Sequence, residues 1–215
     1  MRKAAVLGLA AALSASSGPV WGSQPVRGSR AALKGRPGLR LLRVPKTRQA
    51  TDYTCGAAAL QAVLAFFGQE FREDELSKEL GADPEQGTDF RRMAETAQAR
   101  GLKVSVKKGA GLADLKAALD QGSPAILSLQ AWADAPTDYG QGWKDGHYVV
   151  AIGYDAKNFY FMDPSLLGHY GYISAAELTA RWHDEESPGE RISGLMLVFS
   201  GRLAEEDPEA ILPIE

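Results

Sequence analysis

Residues 54–68 read TCGAAALQAVLAFFG, and this stretch decides the fold. Leu60, Val63, Leu64 and Phe67 recur at the three-and-four spacing of one helix face, with Thr54 placed as N-cap and Gly68 as the stop. Cys55, the only cysteine, therefore falls in the first helical turn. There the backbone N–H groups lack intrahelical partners and carry partial positive charge. A thiolate is the nucleophile, and a free thiol of pKa about 8.5 is mostly protonated at neutral pH. A helix start and a neighbouring imidazolium are what would change that. Gly56, with no side chain, would let a substrate approach the backbone closely. A small inert cysteine opening an Ala-rich helix fits the same pattern, so this stretch alone leaves both readings open.

Upstream, MRK is followed by the apolar AAVLGLAAAL and then by SASSGPVWGS, the layout of a secretory signal peptide. Residues 1–22 are read as that signal, with cleavage after Gly22 or near Ala15, and the protein as exported, either periplasmic or secreted. An apolar run of 10 residues is too short to span the roughly 30 Å bilayer core, so no integral membrane segment is expected after signal removal. Exported small domains usually use cysteines in pairs, and Cys55 has no partner in the chain. Residues 23–44 form a basic, flexible lead-in and 201–215 an acidic tail, which leaves 45–200 as one domain. A chain that is 45% apolar and 24% charged has the composition of an ordinary globular domain.

Charge is segregated. Residues 1–51 hold 10 of the 24 Lys and Arg and no acid, leaving 14 bases against 27 acids in the rest, a net of −13. Phosphate neutralisation needs a basic face, so nucleic acid is excluded as a partner. The oligomeric state is not written in the sequence.

Further helices are expected at REDELSKELG, at TDFRRMAETAQARG opened by Thr88, at LADLKAALDQG and at AAELTARWHD. LKVSVKK alternates as a strand and PAILSLQAW reads as a central strand. HYVVAIGYD, NFYFMDP and HYGYIS form an antiparallel set, and GLMLVFSG is the last strand. Helices first and strands later give an α+β fold. Residues 131–146, AWADAPTDYGQGWKDG, form a long loop of the kind that serves as a lid or binding surface.

Three histidines make the search for a base short. His147 opens the most apolar strand beside the long loop, a position suited to a general base. His169 and His183 are expected in surface or stacking roles. If HYVVAIGYD and NFYFMDP form a hairpin, the start of the first lies beside the end of the second, and Asp163 comes to His147 as its orienting carboxylate. Asp145 in the loop and Asp155 at the hairpin turn are the rivals, and both are placed less well. Gln49, six residues before Cys55, can offer an amide to an oxyanion alongside the Cys55 N–H. No close ligand pair such as CxxC or HExxH supports a metal, and no cofactor is expected.

Together, Q-x5-CGAAAL, GHYVVAIGYD and FMDPS resemble the C39 family of papain-like cysteine peptidases over roughly residues 45–200. The resemblance implies Cys55 as nucleophile, His147 as general base and acid, Asp163 as orienting carboxylate and Gln49 as oxyanion donor. It also implies a papain-like fold in which the Cys-bearing helix and the helical part pack on a mainly antiparallel sheet. Gly56, Trp132, Trp143 and Gly146 are the candidate substrate-binding residues, with Tyr139 beside them on the loop. The family is known for cutting after double-glycine leaders, and many members are the N-terminal domain of an ATP-driven exporter. This chain shows no ATPase and is expected to be an exported, stand-alone member acting on a peptide or protein. An amidase or acyl transferase using the same triad, and a non-catalytic peptide-binding module, are the alternatives.

Overall fold

The computed structural model describes Leu39 and residues 41–203. The expected signal peptide, most of the basic lead-in and nearly all of the acidic tail lie outside the described residues. In chain order the elements are α1 (Cys55–Phe66), α2 (Glu73–Leu80), α3 (Phe90–Ala99), β1 (Lys103–Lys107), α4 (Leu112–Asp120), β2 (Ala125–Gln130) and β3 (Gly146–Tyr154). They continue with β4 (Asn158–Met162), β5 (Gly171–Ser174), α5 (Ala175–Arg181), β6 (His183–Ser187), β7 (Glu190–Ser193) and β8 (Met196–Ser200).

Six strands form one sheet in the order β1-β8-β2-β3-β4-β5, with every neighbouring pair antiparallel. β2 lies inside the sheet and all six of its residues are buried, which is why its sequence is apolar apart from Ser128 and Gln130. Its alternate residues Ala125, Leu127 and Leu129 share one face with Val149, Ala151, Phe159 and Phe161. Leu115 and Leu119 of α4, Leu178 of α5 and Trp182 complete that core. The fully buried Leu60, Val63 and Leu64 of α1 are not part of it. α1 packs on β3 from the other face, together with α2 and α3.

α1 spans the apolar repeat of residues 55–66, and Gly68, at φ 77°, turns the chain out of it. Two boundaries differ from the sequence reading. α3 is capped by Asp89, whose carboxylate accepts from Arg91 N at 2.6 Å, while Thr88 is buried instead against α1. The helix at residues 175–184 stops at Arg181, and His183 begins a two-stranded hairpin, β6–β7, that the sequence reading did not contain. HDEES is polar throughout, so no hydrophobic alternation marks it as a strand.

The segment ahead of α1 is already packed at its first described residues. Leu42 N donates to Ile152 O at 2.8 Å, Val44 is fully buried, and Thr47 Oγ1 donates to Ala58 O at 2.7 Å. Gln49 is thereby carried along the sheet to the start of α1. Among the described residues no helix is long and apolar enough to cross a membrane.

Candidate active site

Cys55 is the first residue of α1 and is 6% exposed. Thr54 occupies the N-cap position, but its side chain makes no capping bond and turns to Thr51 instead. The N–H groups of the first turn therefore remain available to a ligand beside the sulfur.

β3 and β4 form a hairpin in register Val150 to Met162 and Tyr154 to Phe159, so the start of β3 lies beside the residues that leave β4. His147 Nε2 is 2.7 Å from Asp163 Oδ1, with both residues buried. That leaves the other ring nitrogen free of Asp163, and Cys55 is the second group that acts on the imidazole. Burial by itself would lower the proton affinity of His147. The hydrogen bonds to Asp163 and Cys55, with their charges, outweigh burial and raise the imidazole from 6.5 to about 10.

The turn after β4 ties Asp163 to Gln49. Ser165 N donates to Asp163 Oδ1 at 2.8 Å, and Gln49 N donates to Pro164 O at 3.2 Å. The Gln49 side chain accepts from Ser165 Oγ at 3.1 Å through Oε1 and donates to Thr51 O at 2.9 Å through Nε2. One hydrogen of the Gln49 amide remains for an incoming oxygen.

The candidate substrate-binding residues separate. Trp132 reaches Asp163, donating its indole N–H to Oδ2 at 3.1 Å. Trp143 packs away from it, its ring centroid 4.3 Å from that of His183 and under Arg191. His183 is buried, not at the surface, and its Nε2 bonds Gly142 O at 2.7 Å. Tyr139 accepts from Ala133 N at 3.1 Å and lies under Arg181, bracing the loop. The two glycines are filled by neighbours. A Cβ on Gly56 would stand 2.7 Å from Thr88 Cβ, and one on Gly146 would stand 2.2 Å from Asp184 Oδ2. Packing thus accounts for both glycines, without any need for substrate room.

A model of the Peptidase C39 like family matches residues 41–187, well over half of the chain. This chain belongs to that family. The C39-like domain also resembles solved structures. A protein from Bacillus anthracis described as a C39-like peptidase has a TM-score of 0.58 at 17% identity, over 77% of this chain and 99% of that one. The peptidase domain of Streptococcus ComA, a bifunctional ABC transporter of a quorum-sensing pathway, gives 0.55 at 18%, over 73% and 97%. A double-glycine-motif protease from an AMS/PCAT transporter, in complex with its leader peptide, gives 0.50 at 19%, over 74% and 92%. At these identities the likeness is one of fold. No curated protein matches the chain significantly.

Beside His147, the C39-like domain holds a polar network that the sequence reading missed. Gln130, fully buried at the end of β2, donates to His183 O at 3.1 Å and to Asp184 Oδ1 at 2.9 Å. It also accepts from Asp145 N at 2.9 Å, so one side chain fixes both the long loop and β6. Ser128 Oγ donates to Asp184 Oδ2 at 2.9 Å, and Tyr148 donates to Glu186 Oε2. The clue available in sequence was the pair of polar residues, Ser128 and Gln130, inside an otherwise apolar strand.

Burial raises Glu186 from 4.5 to about 7, against the hydrogen bond from Tyr148 and with the help of Asp184 and Asp89. Its folded pKa exceeds its unfolded one, so the fold favours the protonated acid. The stability it contributes is full below about pH 4.5 and is lost as pH rises to about 7. Glu186→Gln is expected to gain about 2 kcal/mol over wild type at pH 8, which is about 4–8 °C in Tm. At pH 4 the two proteins should melt together. Equal melting curves at pH 8 would show that Glu186 is ionised without cost.

Proposed function

We propose that the protein is a cysteine peptidase that hydrolyses peptide bonds through Cys55, His147 and Asp163. The observation that carries this is His147, bonded to Asp163 at 2.7 Å, with Asp163 and Cys55 both raising its proton affinity. At neutral pH the imidazole holds a proton, so it begins the reaction as the acid of a thiolate–imidazolium pair. The Cys55 sulfur attacks the substrate carbonyl, and the oxyanion is received by the Cys55 N–H and the Gln49 amide. His147 protonates the leaving amine and then takes a proton from the water that releases the acyl group. Asp163 keeps the ring oriented through both steps.

A peptide is the first substrate class to test, because the fold is shared with a double-glycine-motif protease solved with its leader peptide. Residues 1–22 have the basic, apolar and small-residue layout of a signal peptide, which favours an exported enzyme in the periplasm or outside the cell.

The test incubates the protein lacking residues 1–22 with a peptide library that includes double-glycine leaders, and reads cleavage by mass. Wild type is expected to cut a subset of peptides, and Cys55→Ala none. An added amine distinguishes hydrolysis from transfer, since a transferase would yield the amide adduct. Peptide binding that survives in Cys55→Ala, with no turnover in wild type, would leave a binding module in place of an enzyme.

A further inference from the structure

Asp163 is an acceptor-only group in a nearly closed site, 9% exposed, and each of its oxygens is occupied. Oδ1 accepts from His147 Nε2 at 2.7 Å and from Ser165 N at 2.8 Å. Oδ2 accepts from the indole N–H of Trp132 at 3.1 Å. The bonds on Oδ1 leave the carboxylate plane able to swing, and a donor on Oδ2 fixes it.

Trp132 reaches this position from the loop after β2, and its backbone shows how tightly it is held. Its φ is 62°, the only positive φ at a non-glycine among the described residues. A bulky residue rarely adopts that conformation, and it persists where the surroundings over-determine it, commonly at functional sites. Core packing does not explain the ring, since Trp132 is 48% exposed and lies outside the hydrophobic cluster of α4, α5 and the sheet. An exposed indole whose N–H is held by a buried carboxylate lies between that carboxylate and solvent.

We propose that Trp132 is a positioning residue of the peptidase site: its indole N–H holds the Asp163 carboxylate in the plane that presents Oδ1 to His147, and its ring keeps water from the pair. This rests on the peptidase reading and gives Trp132 a role separate from lining a groove.

Two variants test it. Trp132→Phe keeps an aromatic ring without the N–H, and Trp132→Gly removes the ring and relieves the backbone. The groups acting on His147 are Cys55 from α1 and Asp163 from the turn after β4, so the alkaline limb of the pH–rate profile reports their hold on its proton. Each variant is expected to lose about tenfold in kcat, the worth of one hydrogen bond to a charged group, with KM unchanged. The alkaline limb should move to lower pH as the loosened carboxylate grips the imidazolium less. Trp132→Gly should melt no lower than Trp132→Phe. A raised KM with kcat and the limb unchanged would make Trp132 a groove wall and overturn the proposal, as would wild-type values throughout. Should wild type cleave no peptide, the peptidase reading fails, and NMR titration of the His147 ring decides separately. A lower midpoint in Trp132→Phe supports the positioning role, and equal midpoints overturn it.

Discussion

Asp163→Asn is expected to lower kcat by about 10²- to 10⁴-fold, the range in which a misheld catalytic histidine leaves residual activity. Three donors converge on this side chain, from His147, Ser165 N and Trp132. A carboxylate accepts from all of them, whereas an amide has one oxygen and an NH₂ group. If the amide oxygen faces His147, its nitrogen meets the Trp132 N–H, and the reverse orientation sets it against the histidine. The variant also removes the negative charge that helps raise His147 to about 10. The sign follows from that direction. The imidazolium, and the stability it contributes, are fully present below about 6.5 and are lost as pH rises through about 10. In Asp163→Asn the alkaline limb of kcat/KM should fall back toward 6.5, and the His147 ring should titrate with it. An unmoved limb would remove Asp163 from the catalytic machinery.

Gly146→Ala is expected to destabilise the fold by about 3 kcal/mol, at the upper end of overpacking, and to lower Tm by about 6–12 °C. The added Cβ would lie 2.2 Å from Asp184 Oδ2 and 2.5 Å from Oδ1. Asp184 cannot swing aside cheaply, because Ser128, Gln130 and the Glu185 N–H all hold it. Either β6 lifts off or the start of β3 moves, and the next residue on β3 is His147. Activity measured well below the melting point should therefore fall as well. A Tm within about 1 °C of wild type would mean that the β6–β7 hairpin yields at little cost.

The parts of this architecture that were legible in sequence are those whose cause is local. α1 shows its apolar spacing and its stop, and β2 shows the mainly apolar run of a strand buried on both faces. The β3–β4 hairpin shows in its two strand-like runs and short turn, and its pairing is what brings residues 147 and 163 together. What stayed hidden has distant causes. Trp132 meets Asp163 across 31 residues from an irregular loop, where no period applies. β6 is polar throughout, and it becomes strand because Ser128, Gln130 and Tyr148 wait for its carboxylates. Thr88 suited a helix cap by residue type, and the absent side chain of Gly56 drew it into the interior.

The last strand has a consequence in time. β8 lies between β1 and β2, so Lys107 pairs with Met196 and Leu127 pairs with the same residue from the other side. As the chain grows from a ribosome, β2 through β5 can associate with their sequence neighbours, while β1, which follows the helices that begin at Cys55, has no partner strand. Only when residues 196–200 appear is the gap filled. Contacts of such long sequence separation form slowly. β1, with α3 packed on it, therefore reaches its final arrangement late, after nearly all of the folded part of the chain has been made.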